Sequence, residues 1–252
     1  MMKEFPADLH VHTCLSPCAE DEMIPPNILN MAELLGIKVI GITDHNSARN
    51  LPAMVEASRG FDGLVLPGIE VQTKEEVHVL CYFENLEVAM DFQDFLYEHL
   101  PPRKNDPERL GRQYVVDKMG NVIDEEEKLL IASVDLSVDE VAEKVFDLGG
   151  IFIPAHVDRM SFSLIGQLGF IPEYMKLDAV EFSKNLSVDE ARSRFPSVFA
   201  KYPVVFSSDA HCLRDMVYIR TCFLLEEPTF EEVRRAFKGW GGRRVTFKEI
   251  FL

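Results

Sequence analysis

Six of the seven histidines sit where short apolar runs break, and most have a carboxylate or a second histidine beside them. They fall in Leu9-His10-Val11-His12, Thr43-Asp44-His45-Asn46, Val77-His78-Val79, Ala155-His156-Val157-Asp158 and Ser208-Asp209-Ala210-His211, and Glu70 in Gly68-Ile69-Glu70-Val71 joins them. Residues two apart on a strand share a face, so His10 with His12, and Asp209 with His211, each form one jaw of a site. Imidazole and carboxylate without patterned thiolate is ligand chemistry for Zn²⁺, Mn²⁺ or Fe. The set exceeds what one ion needs, which points to a polynuclear hydrolytic centre.

The elements that must position these groups can be read from the same residues. Apolar strand-like runs at Asp8–His12, Val39–Thr43, Leu64–Glu70, His78–Phe83, Ile151–Ala155, Ala179–Phe182, Val204–Ser207 and Thr221–Leu225 alternate with helical stretches. The helices are expected over Pro26–Leu35, Leu51–Ser58, Val88–His99, Val138–Leu148, Val188–Phe195 and Phe230–Lys238. Ser137 with Glu140, and Ser187 with Glu190, have the spacing of capping boxes. Pro25-Pro26 suits a first helical turn, and Gly36 and Gly149 suit C-terminal stops. This alternation predicts an α/β fold with a mostly parallel sheet. Ligand candidates gather at the C-terminal ends of several strands, as on a (β/α) barrel, rather than at one crevice. His78 is the exception, since it begins its run.

Composition narrows the class. The 252 residues, 47% hydrophobic and 27% charged, suit one large domain, with residues 98–134 as an insertion that is either a lid or a solvated connection. No apolar run approaches the roughly 20 residues of a membrane helix, and the N-terminal residues lack the apolar stretch of a secretory signal. Five cysteines without C-x-x-C pairing predict reduced thiols and a cytoplasmic location. Cys18 and Cys212 lie near the ligands in sequence. A net charge of −16 disfavours long nucleic acid. The C-terminal stretch Thr229–Leu252 reads as a closing helix and a short strand. There is no Gly-x-Gly-x-x-Gly, P-loop or Gly-x-Ser-x-Gly elbow.

Taken in order, Asp8-Leu9-His10-Val11-His12, Thr43-Asp44-His45, Gly68-Ile69-Glu70 followed by His78, Ala155-His156 and Ser208-Asp209-Ala210-His211 resemble the motifs of the PHP (polymerase and histidinol phosphatase) superfamily. The resemblance runs from residue 8 to residue 211. It implies a distorted seven-stranded (β/α) barrel of TIM-like type, with two or three divalent ions (Zn, Mn or Fe) at the C-terminal face of the strands. It implies as ligands His10, His12, His45, Glu70, His78, His156, Asp209 and His211, with Glu70 bridging two metals. A further ligand follows the first histidine pair in the family; here Ser16-Pro17-Cys18-Ala19-Glu20-Asp21 departs from the common form, and Glu20, or next Asp21, takes that place.

Asp44 reads as a carboxylate that orients an imidazole, and His99 as surface. Arg159 follows His156 by three, as in the family's His-Pro-x-Arg, with Val157 in place of the proline. Arg159, Lys184 and Arg214, and more weakly Arg49, are candidate phosphate-binding cations. The expected activity is hydrolysis of a small phosphomonoester by metal-activated water. The alternatives are a phosphodiesterase or nuclease acting on short or cyclic nucleotides, and a silent metal-binding regulatory barrel.

Overall fold

A computed structural model of the chain describes residues 1–218 and 220–248. The strands are β1 (Lys3–Val11), β2 (Val39–Ile42), β3 (Leu64–Gln72), β4 (His78–Tyr82), β5 (Tyr114–Val116), β6 (Val122–Glu125), β7 (Ile151–Pro154), β8 (Val180–Phe182), β9 (Val204–Phe206), β10 (Thr221–Leu225) and β11 (Arg244–Phe247). The helices are α1 (Pro25–Leu35), α2 (Leu51–Ala57), α3 (Leu86–His99), α4 (Pro107–Leu110), α5 (Val138–Asp147), α6 (Leu164–Leu168), α7 (Val188–Arg194), α8 (Pro196–Lys201) and α9 (Phe230–Lys238). Local chemistry sets several boundaries. Both reciprocal bonds of the capping box are made at Ser137/Glu140 and at Ser187/Glu190. Gly36 ends α1 at φ 70°, a left-handed conformation that favours glycine. The closing helix and strand are α9 and β11, and residues 249–252 lie outside the described residues.

Seven strands form one curled sheet in the order β11-β10-β1-β2-β3-β4-β7. The expectation of a mostly parallel sheet is corrected here. Only β1–β2 and β2–β3 are parallel within it, whereas β3–β4, β4–β7, β1–β10 and β10–β11 are antiparallel. The link 73–77 between β3 and β4 is too short for a crossover connection, so the chain must turn straight back. This reversal accounts for His78. It opens β4 and pairs with Gln72 at the end of β3, so it lies at the same end of the sheet as Glu70.

β8 and β9 form a separate parallel pair that bridges the β7 edge of the sheet and the end of β1. Val157 N–H donates to the Glu181 carbonyl at 2.9 Å, joining the end of β7 to β8. His12 N–H donates to the Ala210 carbonyl at 3.0 Å, joining the segment after β9 to β1. The result is a half-barrel whose remaining joins are isolated hydrogen bonds. In the inner core Tyr82 crosses the sheet and donates its hydroxyl to the Leu9 carbonyl. Glycine is required there, because a Cβ at Gly41 would stand 2.3 Å from the Leu9 oxygen and one at Gly68 would stand 2.7 Å from the Tyr82 ring. The larger outer core packs Ile28, Met54, Phe92 and Val141 of α1, α2, α3 and α5 on the sheet.

The insertion is ordered. It carries α4 and the hairpin β5–β6, and its buried Gln113 donates to the Glu126 and Lys128 carbonyls, each at 2.7 Å. Asn46, beside His45, donates to the Leu130 and Ala132 carbonyls, and Asn50 donates to that of Tyr114. The segment is thus anchored to the loop that follows β2.

Candidate metal centre

Glu70 is the hub. Its Oε1 lies 2.8 Å from His78 Nδ1, 3.2 Å from His10 Nε2 and 3.4 Å from His156 Nε2. Its Oε2 lies 2.9 Å from His45 Nδ1 and 3.4 Å from His12 Nε2. A second carboxylate closes the cluster, with Asp209 Oδ1 3.3 Å from both His10 Nε2 and His12 Nε2 and 3.6 Å from His211 Nδ1. These residues come from β1, the turn after β2, β3, β4, the turn after β7 and the loop after β9. His45 is set beside Glu70 because pairing continues past β2, where Glu70 N–H donates to the Asp44 carbonyl and Asn46 N–H to that of Glu70. His156 and Asp209 have left-handed backbones, at φ 30° and 49°. Such strain in non-glycine residues recurs where a turn must aim a functional side chain.

The donor set fits divalent metal. Three trios offer ligand atoms within 4.8 Å of one another: His12, His45, His211; His10, His12, Glu70; and His45, Glu70, His78. Both Glu70 oxygens, His45 Nδ1 and both His156 nitrogens are buried and make no well-aligned hydrogen bond, although ring nitrogens and carboxylate oxygens of the cluster stand close to one another. Unsatisfied polar atoms in such number are costly, and a shared cation would satisfy them. The protonation of the cluster points the same way. Burial opposes the Glu70 carboxylate, yet His78, His10 and His45 together hold its pKa well below the ordinary range. Burial also opposes the His10 imidazolium, and Glu181, Glu70 and Asp209 outweigh it, raising its pKa. His12 goes the other way, lowered by burial and by His211. Metal binding would displace whatever protons these ligands carry.

Outer partners determine which nitrogen faces inward. Ser16 Oγ stands 2.9 Å from His12 Nδ1 and donates to Asp44 at 2.7 Å, so Asp44 steadies His12 through a hydroxyl. Asp44 also accepts from the Thr13 N–H and hydroxyl. His78 Nε2 lies 3.0 Å from Gln72 Oε1, and His211 Nδ1 lies 3.0 Å from the Asp209 carbonyl. His99 stays apart, its Nδ1 bonded to the Phe95 carbonyl at the end of α3.

The remaining candidates divide. Arg159 reaches the cluster, 2.7 Å from Asp209 Oδ2. Lys184 is paired with Asp215 at 2.9 Å, and Arg49 with Asp124 and Glu126. Glu20 lies beside His211, its N–H on that residue's carbonyl at 2.8 Å, but its carboxylate is half-exposed and lies 3.4 Å from the exposed Arg214. Asp21 is exposed. The residue of that loop that faces the cluster is Cys18. Burial opposes ionisation of its thiol, but the His45 and His211 imidazoles outweigh it and bring the pKa down to about 6. Sequence reasoning also missed Glu181, whose one signal was a lone acid inside the apolar Ala179–Phe182 run. A cavity of about 560 Å³ adjoins His78 and is lined also by Arg159, Phe162, Asn185 and Arg194. The Phe162 ring stacks on His78 with centroids 4.9 Å apart.

No family model matches the chain. It is 24% identical over 275 aligned residues to the uncharacterized protein YqxK of Bacillus subtilis, covering 97% of this chain and 64% of that protein. Among solved structures it is similar to the lesion-specific endonuclease PfuEndoQ of Pyrococcus furiosus, with a TM-score of 0.73 at 22% identity over 96% of this chain and 58% of that one. It is also similar to a two-domain protein from Bacteroides vulgatus containing a predicted PHP-like metal-dependent phosphoesterase, with a TM-score of 0.55 at 13% identity over 98% of this chain and 65% of that one. The chain therefore spans about 60% of the length of each of these three proteins. With a curled seven-strand sheet and this similarity along nearly its whole length, the chain shares the fold of endonuclease Q and of this PHP-like protein.

Proposed function

We propose that this chain is a metal-dependent hydrolase of phosphate esters. The observation that carries this reading is the buried Glu70 carboxylate, which approaches five imidazoles to within 3.4 Å. His10, His12, His45, Glu70, His78, His156, Asp209 and His211 would hold two or three ions of Zn, Mn or Fe at the mouth of the half-barrel. Bound there, such ions would supply Lewis acidity for the hydrolysis of a phosphate ester and positive charge to offset that developing on its oxygens. The protein's own contribution is to fix the ligands, through Asp44, Ser16 and Gln72, and to offer Arg159 to a non-bridging phosphate oxygen. Arg159 is held by Asp209 until an anion competes for it. We take residues 1–252 as one barrel domain with its insertion at 98–134, and a cytoplasmic setting from the unpatterned cysteines. No described helix is long and apolar enough to cross a membrane.

Within phosphate esters we favour a phosphodiester of nucleic acid. The cavity beside His78 exceeds what a lone phosphate fills and is walled by Phe162 and Arg194. Endonuclease Q, which shares the fold, is described in complex with a 27-mer duplex carrying an abasic lesion at its active site. A small monoester is the second reading, favoured by the net charge of −16.

The test loads the protein with Mn²⁺ or Zn²⁺ and offers duplex DNA with and without an abasic site, dinucleotides and a panel of phosphomonoesters. Glu70→Gln serves as the control. Strand cleavage by the wild type alone supports the first reading, and phosphate release from monoesters alone supports the second. Metal-loaded protein that turns over none of them overturns both.

A further inference from the structure

Ser16 steadies His12 and Gln72 steadies His78, both through neutral oxygens, and the Cys18 thiol lies beside His45 and His211; His10 instead has a buried carboxylate on its outer nitrogen. Glu181, in β8, is 1% exposed. Its Oε2 and Oε1 lie 3.1 and 3.3 Å from His10 Nδ1. Oε2 also accepts the His156 backbone N–H at 3.0 Å. The Glu181 main-chain carbonyl accepts the next amide, Val157 N–H, at 2.9 Å. One residue thus grips two ligands, His10 of β1 through its ring and His156 of the turn after β7 through its left-handed backbone.

We infer that Glu181 is a positioning residue of the metal centre: it holds the proton of His10 on Nδ1, turns the Nε2 lone pair to the metal and clamps the His156 turn. The opposite tautomer is disfavoured by charge. It would set a ring lone pair against the buried Glu181 carboxylate and put an N–H, in place of a lone pair, where the cation shared with Glu70 and Asp209 must bind. An ionised partner on the outer nitrogen makes the inner one a stronger donor, and removing such a partner commonly lowers metal affinity by about 10- to 100-fold. Asp44 cannot replace it, because Asp44 reaches His12 only through Ser16. Glutamine at 181 keeps the shape and can still accept a hydrogen bond, so it separates charge from packing.

This inference rests on the metal-site reading above, and its test does not use catalysis. Zinc affinity is measured by competition with a chromophoric chelator for the wild type, Glu181→Gln and Glu181→Asp. The proton position on His10 is read from long-range ¹H–¹⁵N spectra of the zinc-loaded wild type, assigned against His10→Gln. The expected results are a proton on Nδ1, zinc binding about 10-fold or more weaker in Glu181→Gln, and weaker binding in the charged but shorter Glu181→Asp. A proton on His10 Nε2 would overturn the inference in the wild type alone, whether or not the variants fold. So would wild-type affinity in Glu181→Gln, or a wild type that binds no zinc. Tight zinc with the proton on Nδ1 but no ester hydrolysis would instead sink the proposed function and leave Glu181's role standing.

Discussion

At the scale of single residues, the site is a problem of burying charge. Glu70 is 1% exposed and His10 is fully buried, so neither is stable as an ion except against the other members of the cluster. The same contrast separates the thiols. Burial pushes Cys14 up to about 12 and Cys222 up to about 11, whereas Cys18 is exposed and sits beside two imidazoles. A thiol-alkylating reagent on the native protein should therefore label one cysteine per chain, at Cys18, with the rest reacting only after denaturation. Peptide mapping that finds Cys14 or Cys81 labelled at the same rate would refute that picture. Glu20 shows where residue reasoning stopped. Counting along the loop placed it as a ligand, but the loop's turn, with Ala19 N–H on the Ser16 carbonyl and Glu20 N–H on that of His211, sends its side chain outward to Arg214.

At the scale of elements, the β3–β4 turn decides whether the centre is complete, because it delivers His78 opposite Gln72. That turn carries a cost: Glu76 is exposed and held at φ 58°, a conformation that penalises any side chain. Glu76→Gly should relieve it and stabilise the fold by up to about 1 kcal/mol, raising Tm by roughly 2–4 °C. Calorimetry showing a lower Tm would mean that the glutamate makes compensating contacts. Elements with strong local signals were legible in advance. Ser137 and Ser187 cap their helices as their spacing predicted, and the run Val39–Thr43 contains the buried strand Val39–Ile42. The β5–β6 hairpin was not legible, because Val122–Glu125 alternates no apolar face and is mostly exposed, so its pairing with Tyr114–Val116 depends on the rest of the insertion.

At the scale of the whole molecule, strands distant in sequence converge on one carboxylate, so metal occupancy and global stability are coupled. Ligands bound only by the folded state stabilise it by mass action, about 4 kcal/mol at a thousandfold excess over Kd. Chelation should accordingly lower Tm by roughly 8–16 °C, and adding back Zn²⁺ or Mn²⁺ should restore it. A chelator-treated protein that melts unchanged would mean that the cluster holds no metal tightly. The net charge of −16 adds self-repulsion that bound cations partly relieve, in the same direction.

Residue types alone determined the donor chemistry, and hydrophobic periodicity alone located most of the strands that carry it, because both are local properties of the chain. His10 and His12 share a face by strand geometry whatever surrounds them. The direction of β4, the outward turn of Glu20 and the grip of Glu181 on His10 were decided only in three dimensions. Glu181 and His10 are 171 residues apart and belong to strands that are not bonded to each other, so no periodicity connects them. Their pairing follows from the curl of the sheet, which brings β8 against the buried end of β1 and leaves a desolvated carboxylate no better partner than the ring it holds.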